Sequence, residues 1–289
     1  MNAIIFGASG QDGFYLTQLL EQQGVSVIGV SRSGGFLNID ISDFGQVCDL
    51  VKKYRPDYIF HLAANSTTRH DAIFENHETI ATGTLNILEA VHQYSPEIKV
   101  FISGSGLQFE NKGIPIMETD PFEARDAYSI SRIQSVYAAR YFRRLGLKVY
   151  VGYFFNHDSP RRTERHMAQK IASAARRIAK GSEEKLLIGD LSVVKEWTFA
   201  GDVVKGIWLL VNQDVVTEAN IGSGKGYSIL DWVKLCFGIA GKDYQHYVQT
   251  EEVFKAEYRQ LVCNNYRLLS LGFQQEVSFE ALAAMMMNE

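Results

Sequence analysis

The chain reads as an α/β protein built on a Rossmann-like, doubly wound parallel sheet with a small C-terminal lobe. Three observations lead there. Apolar stretches of strand length alternate with amphipathic stretches of helix length through the first half. The first apolar stretch, residues 3–6, runs into Gly7, with Gly10 and Gly13 at three-residue spacing, and a helical pattern starts at once. The 289 residues include only five prolines and no low-complexity segment, so no linker is evident.

The elements follow in order. Residues 3–6 form the first strand, and Leu16, Leu19 and Leu20 mark the buried stripe of the first helix. Between them Gly7 permits a tight turn, Gly10 lets a pyrophosphate approach the backbone, and Gly13 lets the helix pack close to the strand. The free N–H groups and dipole of a helix start favour phosphate. The loop, with Ser9, Gln11 and Asp12, is therefore a nucleotide-cofactor site. Residues 25–30 form the second strand. Ser42 caps a helix running to about residue 54, with Phe44, Val47, Leu50 and Val51 on one face. Residues 57–62 are a third buried strand, 79–94 a long helix, 99–103 a strand, 127–145 a helix and 148–154 a strand. A basic helix then covers 164–180, and short strands, turns and small helices follow. On this reading residues 1–155 are mainly the cofactor-binding domain. Residues 156–289 are mainly a substrate-binding lobe, interleaved with the last strands of the main sheet.

Composition narrows the function classes. A net charge of −4 creates no global field for nucleic acid or an anionic membrane. There is no cleavable signal and no long apolar run, so a cytoplasmic protein with neither a membrane nor a nucleic-acid partner is expected. Cys48, Cys236 and Cys263 are odd in number and far apart, and neither they nor the seven histidines show metal-ligand spacing. Reduced thiols and no metal site are the expectation.

Ligands of such sheets bind beyond the carboxyl ends of the strands. After the second strand an acidic residue would grip a free ribose 2′-hydroxyl, but the sequence there is Val30-Ser-Arg-Ser33. Arg32 and its flanking serines suit a 2′-phosphate, which guanidinium binds bidentately. NADP is thus favoured over NAD. Asp40 is placed to meet the adenine amine and Ile41 to pack on the ring. Leu62, Ala63 and Ala64 follow the third strand, with alanines where backbone must pass close to the cofactor.

The chemistry centres on Tyr128 and Arg132, four apart at a helix start and so on one helix face. A cation beside a phenol favours its charged form and general acid/base work. The strand over 99–103 brings Ser103 and Ser105 to the same sheet edge, where a hydroxyl can bond a sugar oxygen or a carbonyl. Serine, tyrosine and a cation beside a nicotinamide point to hydride transfer at a carbinol carbon.

The chain resembles the extended short-chain dehydrogenase/reductases and, within them, the GDP-mannose 4,6-dehydratase family. Gly7-Ala-Ser-Gly-Gln-Asp-Gly13 with Tyr15-Leu16 resembles that family's glycine loop. Similar segments are His61-Leu-Ala-Ala64, Gly83-Thr-Leu85, Pro115 to Glu118 with Pro121-Phe122, Asn156-His-Asp-Ser-Pro-Arg-Arg162, and Lys195-Glu-Trp197 with Asp202. The resemblance implies that Phe155, His157 and Arg162 also meet the cofactor. Asn156, Lys170, Lys195 and Arg259 would hold the substrate, a nucleotide-diphosphate sugar with a GDP-hexose favoured. It further implies a homodimer through helices near 80–94 and 128–145.

Departures from the pattern bear on the reaction. Arg132 stands where the family has its catalytic lysine. Aligning Leu107 with the family's hydrophobic residue sets Gly104 against its catalytic threonine or serine and Gly106 against its catalytic glutamate; Ser103 or Ser105 would restore the hydroxyl by a shift of one residue. Three outcomes stay open: 4,6-dehydration, reduction or epimerisation of a 4-keto-sugar nucleotide without dehydration, and a cofactor-binding regulatory subunit. Between Arg32 and Asp40 the chain also lacks the longer arm with which the family reaches a neighbouring subunit.

Overall fold

The computed structural model describes residues 1–250 and 256–288. Strands β1 (Asn2–Phe6), β2 (Ser26–Val30), β3 (Tyr58–His61), β4 (Lys99–Ser105) and β5 (Lys148–Phe154) are separated by helices α1 (Gln11–Gln22), α2 (Phe44–Tyr54), α3 (Ile73–Asn76), α4 (Gly83–Tyr94) and α5 (Ala127–Arg144). Beyond them lie β6 (His157–Asp158), α6 (Met167–Ala179), β7 (Leu186–Ile188), β8 (Val194–Lys195), β9 (Thr198–Phe199), α7 (Ala200–Val211) and β10 (Glu218–Ile221). The chain continues through β11 (Tyr227–Ser228), α8 (Ile229–Ile239), β12 (Val248–Thr250), β13 (Gln260–Leu261), α9 (Tyr266–Ser270) and α10 (Phe279–Met287).

The main sheet has the order β2-β1-β3-β4-β5-β10, and every neighbouring pair is parallel. Its strands are buried on both faces, as a parallel sheet requires. Ile4 and Phe6 join one core with α2, α4 and α5, while Ala3 and Ile5 join another with α1 and α7. A third core holds α6, α8 and α10 around Trp197 and Trp232, whose stacked rings lie 4.6 Å apart. Parallel pairing of β6 with β9 ties the segment after β5 to the start of α7. The chain leaves β1 for β2 on one side and later returns to β3 on the other, so the crevice for a ligand opens at the carboxyl ends of β1 and β3.

Several boundaries differ from the sequence expectation for local reasons. Asp43, not Ser42, caps α2: its carboxylate accepts from the Gln46 N–H at 3.1 Å, and Ser42 instead donates to Asp40 at 2.7 Å. The helix expected from residue 79 starts earlier, with α3 running through a π-turn, His77–Thr82, into α4. The basic helix starts at Met167 rather than 164, leaving Glu164 to pair with Arg177 from outside it. Asp126 caps α5 by accepting from the Tyr128 and Ser129 N–H groups, and so sets Tyr128 in the first turn.

Close packing of α1 on β1 rests on Gly13. A Cβ there would collide with the Gly7 carbonyl and lie 2.7 Å from Ala8 Cα, both backbone. We expect Gly13→Ala to push α1 off the strand and to cost about 2 kcal/mol, on the order of 5 °C in Tm. Thermal unfolding checks this, and an unchanged Tm would refute the packing role.

Candidate active site

The glycine turn builds the centre of the crevice. Gly7 has φ +92°, a region that L side chains rarely adopt, and a Cβ on it would stand 2.7 Å from the Ala63 nitrogen. Only glycine lets β1 and the end of β3 approach so closely. Gly10 is the N-cap of α1 and provides no capping side chain, so N–H groups of the first turn are left for an anion. Within 4 Å a Cβ on Gly10 would meet only the Gly7 carbonyl. The cradle fits a pyrophosphate.

At the β2 end, Ser9 Oγ and Ser31 Oγ lie 2.6 Å apart and Ser33 Oγ donates to Ser9 at 3.5 Å. Arg32 lies beside them and pairs with Glu75 at 3.2 Å. Asp40 accepts from the Ser42 N–H and hydroxyl, and Ile41 is buried against Gly83, so both take part in local packing as well as lining the crevice. Leu62, Ala63 and Ala64 form its floor.

At the other end, Tyr128 is nearly buried and the Arg132 guanidinium lies 5.0 Å from its ring centroid. Arg132 is buried and donates from Nη1 to the Ser103 carbonyl and, at 2.8 Å, to Ser103 Oγ. Ser103 Oγ in turn donates to the His61 carbonyl at 2.9 Å. Burial, reinforced by the Arg132 charge, pushes the His61 imidazole down to about 3, so it is neutral. Arg132 thus clamps α5 to the ends of β4 and β3.

Gly104 and Gly106, aligned with the family's catalytic pair, have no room for a side chain. A side chain at Gly104 would run into the Tyr153 ring at 2.6 Å, and one at Gly106 into the Phe155 ring at 2.8 Å. Ser103, Ser105 and Leu107 line the crevice instead. The crevice-facing hydroxyl with no carbonyl of its own to bond is that of Ser105, which accepts from the Leu107 N–H at 3.2 Å. Leu107 holds the crevice-facing position two residues on.

Opposite stands the segment after β5. His157 Nε2 is 2.9 Å from Asp12 Oδ1 and Nδ1 is 2.7 Å from the Phe155 carbonyl. Ser159 donates to Gln11 at 2.7 Å, and the Gln11 amide donates to Asp12 at 3.1 Å. Arg162 donates to the His157 carbonyl at 3.3 Å and its Nε lies 3.7 Å from Asp158. Burial opposes charge on Asp12, but His157, Arg162 and the Gln11 amide hold its carboxyl well below the usual range. Burial likewise opposes charge on His157, and the Asp12 carboxylate overrides it, raising the imidazole pKa. Lys195 lines the same wall; burial lowers its pKa, with Asp158 opposing and Arg162 adding to the fall. Asn156 Oδ1 and Arg132 Nε are buried with no hydrogen-bond partner among the described residues. Both residues line the crevice.

Two expected substrate residues lie elsewhere. Lys170 is on α6 with its ammonium donating to the Leu187 carbonyl at 2.8 Å, and neither it nor the exposed Arg259 lines the crevice. Residues the sequence did not single out do line it: Leu107, His166, Tyr258 and Glu75. None of these was legible as a site residue: Leu107 lies beyond β4 in a 3-10 turn, Gly106–Gln108, where strand alternation no longer places side chains.

The family model for GDP-mannose 4,6 dehydratase matches residues 4–286. The chain belongs to the GDP-mannose 4,6-dehydratase family. It is 30% identical over 323 residues to GDP-mannose 4,6 dehydratase 2 of Arabidopsis thaliana, covering 99% of this chain and 86% of that one. To the GDP-mannose 4,6-dehydratase of Yersinia enterocolitica it is 32% identical over 270 residues, covering 83% and 72%. Among solved structures, UDP-glucose 4-epimerase from Thermotoga maritima with UDP-glucose is 25% identical, with TM-score 0.87 and coverage of 100% and 98%. RMD from Pseudomonas aeruginosa complexed with NADPH is 20% identical, with TM-score 0.88 and coverage of 99% and 97%. The chain is therefore a nucleotide-sugar enzyme of the extended short-chain dehydrogenase/reductase type. Among the described residues no helix is long and apolar enough to cross a membrane.

The Asp12–His157 pair gives this family member a defined pH response. The raised His157 pKa contributes stability that is complete below the ordinary imidazole value of about 6.5 and is lost as pH rises through the folded value. The lowered Asp12 pKa contributes stability that is complete above the ordinary carboxyl value of about 3.9 and is lost as pH falls through the folded value. Asp12→Asn should cost on the order of 2 kcal/mol near pH 6, and the difference from wild type should shrink as pH rises through the raised His157 value. Denaturant unfolding across pH measures it; a pH-independent difference would show that charge is not what joins the two residues.

Proposed function

We propose that this chain is an NADP-dependent oxidoreductase acting at C4 of a nucleotide-diphosphate hexose, GDP-linked, and that it does not itself carry out the dehydration that removes a C6 hydroxyl. One observation carries the last clause. Dehydration needs a base at C5, and the position aligned with the family's glutamate is Gly106, which has no side chain, while its neighbour Leu107 lines the crevice. Asp12 and Asp158, the acidic residues lining this end among the described residues, are each paired with a cation. The relatives' names favour a GDP-linked substrate, and NADPH in the RMD structure together with the Arg32–serine cluster favours NADP.

The glycine turn and the start of α1 would hold the pyrophosphate, and the β2 end the adenosine. When bound, the nicotinamide supplies hydride exchange with a carbinol or carbonyl carbon. In the reducing direction the C4 carbonyl gains hydrogen at carbon and a proton at oxygen. Tyr128 delivers that proton and regains one from solvent. Ser105 donates a hydrogen bond to the same oxygen. Arg132 holds Tyr128 in place through Ser103, and Arg162 and Lys195 supply positive charge for the diphosphate.

Incubation with NADPH and a GDP-4-keto-6-deoxyhexose should consume cofactor in proportion to sugar, and Tyr128→Phe should lower kcat by about 10²-fold or more. Conversion of GDP-mannose with loss of water, followed by mass spectrometry, would overturn the reading. The same proposal places the protein in the cytoplasm, in keeping with three buried, unbridged cysteines, and makes it a homodimer. Ile130, Tyr137 and Tyr141 form an exposed apolar stripe on α5, next to exposed Leu85 on α4. Tyr137→Glu with Tyr141→Glu should halve the mass seen by light scattering; an unchanged mass would reject this interface.

A further inference from the structure

We infer that Glu75 makes the ribose end of the crevice accept both the phosphorylated and the unphosphorylated dinucleotide, and sets the ratio between them. The inference rests on the reading of the crevice as a nicotinamide-dinucleotide site. It concerns a carboxylate that no motif in the sequence marks.

Glu75 lies at the mouth of the crevice and joins its two sides. One carboxylate oxygen takes Arg32 Nη2 at 3.2 Å, from the loop after β2, and the other takes the Asn65 amide at 2.8 Å, from the loop after β3. Asn65 therefore fixes the carboxylate in the place where it meets Arg32. Beside the pair stand the hydroxyls of Ser9, Ser31 and Ser33. Glu78, a turn further along the chain, lines the same wall.

This arrangement offers partners for both forms of the ribose. A 2′-phosphate finds Arg32 and the serine hydroxyls, and charge-assisted bonds to guanidinium are strong. It also meets the Glu75 charge, which repels it and already engages the guanidinium. A 2′-hydroxyl finds an acceptor in Glu75 and donors in the serines. Both members of the pair are well exposed, with side chains 74% and 44% accessible, so the ion pair itself is weak and exchangeable. Arg32 alone would read as strict selection for NADP; Arg32 held by Glu75 reads as a preference for NADP that still admits NAD.

The test is equilibrium binding of NADPH and NADH to the purified chain, followed by nicotinamide fluorescence, with no sugar required. Wild type should bind both, with dissociation constants within about tenfold of each other. Glu75→Gln should tighten NADPH about fivefold and weaken NADH about threefold, while Arg32→Ala should weaken NADPH about tenfold and leave NADH within about twofold. If wild type binds either cofactor and Glu75→Gln shifts both constants equally or neither, the inference fails while the dinucleotide reading stands. If wild type binds neither, both fail.

Discussion

Asp12 and His157 are 145 positions apart in the chain and 2.9 Å apart in the fold, and the crevice has its shape because they meet. Asp12 sits in the first turn of α1, directly after the glycine cradle. His157 belongs to the segment that carries Asn156, Asp158 and Arg162 to the facing wall. The pair is nearly enclosed, so neither charge can be left alone without a large desolvation cost. Gln11 and Ser159 add a second bridge beside it. Two segments that each look like ligand-binding motifs are therefore also each other's principal binding partner. Displacing one moves the other, and the distance between cofactor and substrate walls is held by a contact that needs to touch neither ligand.

The same economy governs the reacting end. An arginine in place of a lysine brings a planar fork of donors instead of one mobile ammonium. Here the fork grips both the carbonyl and the hydroxyl of Ser103, and Ser103 grips β3. The cation is thereby turned into a joint between α5 and the sheet, with Tyr128 carried on the first turn of the same helix. Ser105, one step further along the strand face, is left as the hydroxyl that a substrate oxygen can reach.

Most of the fold was legible because burial on both faces makes the strands of a parallel sheet near-continuous apolar runs, and the helices between them keep a clear 3.6-residue period. The glycine loop, the position of Tyr128 at a helix start and the basic α6 could be read directly. Three things could not. Which residues at the end of β4 reach the crevice could not be taken from matching letters, because a one-residue slip exchanges the crevice face for the core face; the Tyr153 ring fills the space beside Gly104, and Ser103 and Ser105 line the crevice. Lys170 looked available because it belongs to a basic run, yet the helix carries its ammonium to the Leu187 carbonyl. Glu75 carries no local signal at all, since what gives it meaning is the approach of Arg32 from 43 residues away.

The loop after β2 has one more consequence. Phe36 lies over Gly29 so closely that a Cβ there would be 2.6 Å from the ring, and Leu37 returns to the strand through paired bonds with Ser31 and Gly29. The segment folds home rather than reaching outward. If that wall holds the adenosine as proposed, the residues named here come from one polypeptide, and dilution of the protein is expected to leave the cofactor saturation curve where it was.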